Sequence, residues 1–362
     1  MLESSAPLDW HSASWRQQLR RRLRTWYAEH RRSLPWREST DPYRIWVSEI
    51  MLQQTQVQTV RAYFLRFMQR FPTVQDLAAA DEQEVLRLWE GLGYYRRARQ
   101  MHLAAQVVVQ QHEGVFPTDF DAVLALPGIG RYTAGAILSI SQDQRLPILE
   151  ANTIRLNARL TALPDDPRSK AGQDLLWEFA EAILPTKRVG EFNQALMELG
   201  SLVCTPKTPR CPVCPLKDLC PTCQQGLQDR IPLAQQKTVY HDVHEVAVVV
   251  QRNGKFLLRR CQPNERWAGL WDFIRFPVEN DAVSDSELQK QIFALTKLDA
   301  GSFQELTTIR HGVTKYRITL RCVLAAGISG RITKSAELQW VTRTQLAQIP
   351  LSVTGRKISK LL

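Results

Sequence analysis

The chain has 362 residues, 44% of them hydrophobic and 23% charged, with 47 Lys and Arg against 36 Asp and Glu. This length exceeds the roughly 100–200 residues of a single domain, and the composition excludes a disordered or fibrous chain, so two or three domains with their own cores are expected. A formal net charge of +11 calls for a polyanionic partner, and nucleic acid fits better than a lipid surface because no lipid-anchor motif accompanies the charge.

The opening stretch MLESSAPLDWHSAS has no basic region followed by an apolar one, and no run of about 18 or more apolar residues occurs, which predicts a soluble, intracellular protein with no membrane association. Residues 16–37 hold eight Arg and one acid, Glu29. A solvated helix face accounts for the solubility of that segment but not for its single sign, so it is a candidate phosphate-contacting patch. Trp15, Leu19, Leu23, Trp26 and Tyr27 fall on one stripe at helical spacing, and Ile50, Val57, Val60, Phe64 and Phe67 form a second. Pro-bearing breaks, RSLPWRESTDPYR, RFPT and GVFPTDF, separate the helices.

Next comes Leu126-Pro-Gly-Ile-Gly130, leading into the helical stretch RYTAGAILSI. Glycines at a helix N-terminus let backbone N–H groups approach an anion closely, and the helix dipole favours negative charge there, so Gly128, Gly130 and Arg131 are candidate DNA contacts. A Pro-Gly turn between helices is otherwise only a turn. Glu150 closes the apolar run LPIL and precedes Ala151 and Asn152.

The most specific local signal is CTPKTPRCPVCPLKDLC, in which Cys204, Cys211, Cys214 and Cys220 lie within 17 residues. Thiolates so close repel one another until a cation compensates them, so a metal ion or cluster is expected. Zinc and a 4Fe-4S cluster are the two candidates. The spacing is not a pair of C-x-x-C units, which favours iron–sulphur, and Cys223 could replace Cys220 as fourth ligand. Beyond the Gln-rich connector 224–242 the period changes to that of strands. HEVAVVVQRNGKFLLRR reads as a hairpin turning at Asn253-Gly254, and KYRITLRCVL as a half-buried strand.

The hairpin, the cysteine loop and the stretches LPWRESTDPYRIWVSEIMLQQTQV and WEGLGYYRRARQMH together resemble the adenine DNA glycosylase (MutY) family along nearly the whole chain. The resemblance implies a mainly α helix-hairpin-helix glycosylase region, residues 10–223, with a 4Fe-4S loop at 204–220. A linker, 224–242, and an α+β Nudix-like lesion-recognition domain, 243–362, would follow. The implied activity is base excision repair: monofunctional, base-flipping hydrolysis of adenine mispaired with 8-oxoguanine or guanine in double-stranded DNA, by a monomer in the bacterial cytoplasm.

By the same resemblance Glu49 is the catalytic acid, and the apolar Val47, Ile50 and Leu52 around it would raise its pKa toward proton donation. Glu150 stands where the family carries Asp in Asp-Gly-Asn, with Asn152 retained. Its arm is longer by about 1.5 Å, so it either stabilises the sugar cation from an adapted backbone or marks a weakened or retargeted enzyme. Tyr132 occupies the position at which strand-nicking relatives carry a Schiff-base Lys. Trp36, Arg37, Leu52 and Gln194 would line the adenine pocket, while Gln54 and Tyr94 would wedge into the duplex. In the C-terminal part Val313, Thr314 and Lys315 replace the family's Phe-Ser-His for reading 8-oxoguanine, and the stretch 278–298 lacks the carboxylate cluster of a Nudix hydrolase. A non-catalytic iron–sulphur DNA-binding protein would need the cluster and hairpin but not Glu49; a pyrophosphohydrolase would need the missing carboxylates.

Overall fold

The computed structural model describes residues 10–234, 239–279, 283–332 and 337–362. Residues 1–9 of the opening stretch, 235–238 of the expected connector and 280–282 of the stretch read for Nudix carboxylates lie outside the described residues. The chain divides into two compact units, one of residues 1–78 and 103–236, the other of 79–102 and 237–362.

The first unit is helical. Its helices are α1 (Ala13–His30), α2 (Pro42–Leu52), α3 (Val57–Arg70), α4 (Val74–Ala79), then, after α5 (Glu82–Trp89) of the second unit and α6 (Arg96–Gln111), α7 (Phe120–Leu124), α8 (Arg131–Gln142), α9 (Ala151–Leu160), α10 (Lys170–Ala182), α11 (Val189–Leu202) and the short α12 (Pro221–Gln224). On α1 the expected stripe of Trp15, Leu19, Leu23, Trp26 and Tyr27 is buried, and it packs with Leu196 and Leu199 of α11 in one core. Asp41 caps α2 by accepting from the Tyr43 N–H at 2.9 Å, with Pro42 preset for the first turn.

The second stripe is not one helix. The chain breaks between Leu52 and Val57, where Gln54 takes φ +55°, so Ile50 belongs to α2 and Val60, Phe64 and Phe67 to α3. A non-glycine residue in the left-handed region cannot continue the helix. Helix α8 is buried from Thr133 to Ser139 and lies between α2 and α11. Its close approach to α11 needs Gly190, where an added Cβ would lie 2.3 Å from the Ser139 carbonyl oxygen.

In the second unit the strands are β1 (His241–Arg252), β2 (Lys255–Arg260), β3 (Trp271–Asp272), β4 (Ile274–Val278), β5 (Leu298–Asp299), β6 (Ser302–Val313), β7 (Tyr316–Ala326), β8 (Ser329–Gly330) and β9 (Leu338–Thr342). The main sheet runs β3-β2-β1-β7-β6, with β4 also on β1 and β9 on β2, and β1 is parallel to β7. The hairpin at Asn253 (φ +51°) and Gly254 (φ +70°) forms as expected. Strand β1 is buried on both faces: Val246, Val248 and Val250 face the helix Asp285–Thr296, while Ala247 and Val249 face Leu346 and Ile358 of the last two helices. That explains its unbroken apolar run.

Residues 79–102 join this unit: Arg356 Nε donates to Glu90 Oε1 at 2.7 Å, and Trp271 Nε1 to Gln83 Oε1 at 2.9 Å. The domain limits expected from sequence, 10–223 and 243–362, follow the change of period and assign this segment to the helical region instead. No helix among the described residues is long and apolar enough to cross a membrane.

Candidate active site

A cleft of about 430 Å³ in the first unit gathers residues from six separate segments. Trp36 and Arg37 come from the turn before α2, Glu49 and Leu52 from α2, Gln54 from the break after it, Tyr132 from α8, Glu150 and Asn152 from the start of α9, and Gln194 from α11. Of the residues expected to act on the base or sugar, the whole set is thus brought together. Trp36 is buried with its ring edge-on to Phe64 at 5.5 Å, and Gln194 Oε1 accepts from the Tyr27 hydroxyl at 3.4 Å.

Glu49 is 5% exposed and hydrogen-bonded to Tyr132, whose hydroxyl donates to Oε2 at 2.5 Å. Burial pushes its carboxyl up and the negative charge of Glu150 adds to this, against the Tyr132 hydrogen bond and the charge of Arg37, with the result near 7. Tyr132 is itself pushed well above the ordinary phenol range by burial and by the two carboxylates.

Glu150 is the N-cap of α9 in extended backbone (φ −134°, ψ 178°). Its Oε1 accepts from the Thr153 N–H at 3.0 Å, its Oε2 from Asn152 Nδ2 at 3.2 Å, and the Thr153 hydroxyl accepts from the Glu150 N–H at 2.8 Å, closing a capping box. Burial raises its carboxyl also, opposed by the Asn152 and Thr153 donors and by the charge of Arg155. Asn152 is held in turn: its Oδ1 accepts from Arg155 Nη2 at 2.9 Å, and Arg155 ties back to the carbonyls of Gly200 and Cys204 at 2.7 Å each. Burial raises both carboxyls, and Glu150, supplied with donors at a helix N-terminus, is the better placed of the two to hold a negative charge. Such a pair can protonate a leaving group and stabilise a developing cation.

Reasoning from sequence missed Glu198 and Arg32 of the same cleft. Glu198 is fully buried on α11 and bound by Arg32 and Arg37. The available signal was an acid four positions after Gln194 inside the apolar run NQALMELG.

The hairpin forms with Gly128 at φ +79° and Gly130 as N-cap of α8; Gly130 faces open space, leaving the first N–H groups of α8 approachable. Arg131 departs from a simple phosphate contact, since its guanidinium lies 3.8 Å from the Trp177 ring centroid. The Arg-rich segment likewise is not one phosphate-facing surface. Arg20 donates to the Ile183 and Ala182 carbonyls, Arg22 pairs with Asp218 at 2.9 Å, and Arg32 and Arg37 hold Glu198. Carbonyls at the end of α10, the exposed Asp218 and the buried Glu198 take up these charges. In the second unit Tyr94 is 53% exposed with φ +48°. Thr314 (φ +52°) and Lys315 form the exposed two-residue turn between β6 and β7, after Val313.

Cys204, Cys211, Cys214, Cys220 and Cys223 line one cavity. Burial, then the other thiols, push Cys214 and Cys220 up to about 12. Arg159 Nη1 donates to Cys204 Sγ at 3.3 Å. Among the described residues no three His, Cys, Asp or Glu side chains close on the position of a single metal ion.

Residues 47–182 match the model of the HhH-GPD superfamily of base excision DNA repair proteins, and residues 245–361 that of the NUDIX domain. The chain is 31% identical over 426 residues to the adenine DNA glycosylase of Schizosaccharomyces pombe, a match covering 99% of this chain and 92% of that one. This chain belongs to the adenine DNA glycosylase family. It is also 46% identical over 221 residues to the adenine DNA glycosylase of Rattus norvegicus, over 59% of this chain but only 43% of the rat protein, so it spans less than half of that relative. A solved thermostable thymine-DNA glycosylase superimposes with TM-score 0.55 at 27% identity, covering 59% of this chain and 98% of that one. In this chain Glu150 both brings a carboxylate to the cleft and caps α9.

Proposed function

We propose that this chain takes adenine out of duplex DNA opposite 8-oxoguanine or guanine and hydrolyses its N-glycosidic bond, as a monomeric, monofunctional base excision repair glycosylase. The observation that carries this is the coupled pair Glu49 and Glu150 in one cleft with Tyr132 beside them. Glu49, near 7, donates a proton to the leaving base, and the Tyr132 hydroxyl then stabilises the carboxylate that remains. Glu150, oriented by Asn152 and Thr153, faces the sugar cation as the bond breaks. Trp36, Arg37, Leu52 and Gln194 hold the base. With a phenol and not an amine at position 132, no imine forms and the strand is left intact.

Duplex DNA is engaged by the backbone of the Gly128–Gly130 hairpin and by Gln54 and Tyr94, whose left-handed backbone presents each side chain from a sharp turn. Val313, Thr314 and Lys315 meet the base opposite. The sulphur-only donor set gathered in one cavity fits a 4Fe-4S cluster. Cys204, Cys211, Cys214 and Cys220 would hold it, and when bound it supplies covalent bracing of the loop after α11. Single-turnover reaction with duplexes carrying adenine opposite 8-oxoguanine, guanine or thymine tests the reading. Adenine release is expected with the first two, fastest with 8-oxoguanine, with strand scission only after alkali. A covalent complex trapped by borohydride, or equal rates opposite all three bases, would overturn it.

A further inference from the structure

Glu198 has a role in the cleft that the family resemblance does not assign. It is wholly buried, and burial pushes its carboxyl up, but hydrogen bonds from Arg32 and Arg37 outweigh this and bring it to about 2. The Arg32 N–H and Nε donate to Oε1 at 2.8 and 2.9 Å, Arg32 Nη2 to Oε2 at 2.8 Å, and Arg37 Nη2 to the same oxygen at 2.9 Å. Arg37 is held on two further sides, by the Arg32 carbonyl at 3.1 Å and by the Tyr27 ring 5.6 Å away.

A buried ionic cluster of this kind incurs a desolvation cost that apolar packing would avoid, so it adds little as a stabilising device. Here it forms the wall of the cleft, and Arg37 acts electrostatically on Glu49. The charged and titratable groups lining the cleft around Glu49 are Arg32 and Arg37 from the segment before α2, Tyr132 from α8, Glu150 at the start of α9 and Glu198 from α11. Two of these are cations, and Glu198 is the acid bonded to both.

We propose that Glu198 is a positioning residue for glycosidic hydrolysis: it fixes Arg37 in the base pocket and sets how much positive charge reaches the proton donor Glu49. This rests on the adenine-hydrolase reading above. The test is the pH dependence of single-turnover adenine release from an adenine–8-oxoguanine duplex, for wild type, Glu198→Gln, Glu198→Asp and Arg32→Gln, with the fold of each checked by circular dichroism.

Glu198→Gln leaves two cations unbalanced, which favours ionised Glu49, so the midpoint of the alkaline limb should fall by on the order of one pH unit. Arg32→Gln removes a cation and should move the midpoint upward. Glu198→Asp should restore most of the wild-type profile. A merely structural role would lower rates without moving the midpoint in opposite directions. If the wild type releases adenine but its midpoint is indifferent to both charge changes, the role of Glu198 is overturned and the function stands. If Glu198→Gln does not fold, a midpoint unmoved or lowered in Arg32→Gln overturns it. A wild type that releases no adenine overturns the functional reading as well.

Discussion

Replacing Glu150 by Gln should separate catalysis from folding. The side chain does two things: it caps α9 through the Thr153 N–H at 3.0 Å, and it carries a negative charge into the cleft. An amide keeps one acceptor oxygen for the cap, so the stability change should stay below about 1 kcal/mol, the typical value of a whole N-cap. The charge is lost entirely. A carboxylate about 4 Å from the sugar cation at an effective dielectric constant of about 20 is worth about 4 kcal/mol, which corresponds to roughly a thousandfold in rate. Adenine release measured with enzyme in excess should therefore slow by about that factor, while the melting temperature and the Kd for duplex change little. Glu150→Asp should also be slower, by up to about a hundredfold, because the carboxylate retreats by about 1.5 Å. Glu150→Gln with a wild-type single-turnover rate would refute the assignment. A Glu150→Asp enzyme faster than wild type would show that the longer arm is a handicap.

Activity should be present while Glu49 is protonated and decline as pH rises through about 7, the folded value that burial sets against an ordinary 4.5. The same proton contributes folding stability below about 4.5 that is lost as pH rises through about 7. Tyr132→Phe removes a hydrogen bond that lowers Glu49, so the midpoint of the alkaline limb should move up; a downward move in the pH–rate profile would contradict the geometry. Protein purified anaerobically should be brown and carry about four irons per chain, and Cys214→Ser should lose them; stoichiometric zinc without sulphide would argue against the cluster. Gly128→Ala, at φ +79°, should cost about 1 kcal/mol of stability and weaken binding to matched and mismatched duplex alike, read by salt-dependent titration.

What the sequence determined by itself was local. The helical stripe on α1, the Asn253-Gly254 hairpin, the alternation of β7 and the glycine turn before α8 rest on periodicity and on residues that tolerate particular φ values. The position of Glu150 was legible, but its capping of α9 follows from contacts that only the folded backbone supplies. Tertiary structure decided where charge goes. Arg32 and Glu198 lie 166 positions apart, and nothing in the run RQQLRRRLRTWYAEHRRSLPWR distinguishes the arginines that hold a buried acid or cap a distant helix from those left to solvent. The break at Gln54 and the membership of residues 79–102 in the second unit have the same origin. Periodicity records which face of a segment is apolar; which partner that face or charge meets depends on how distant segments close around a shared core.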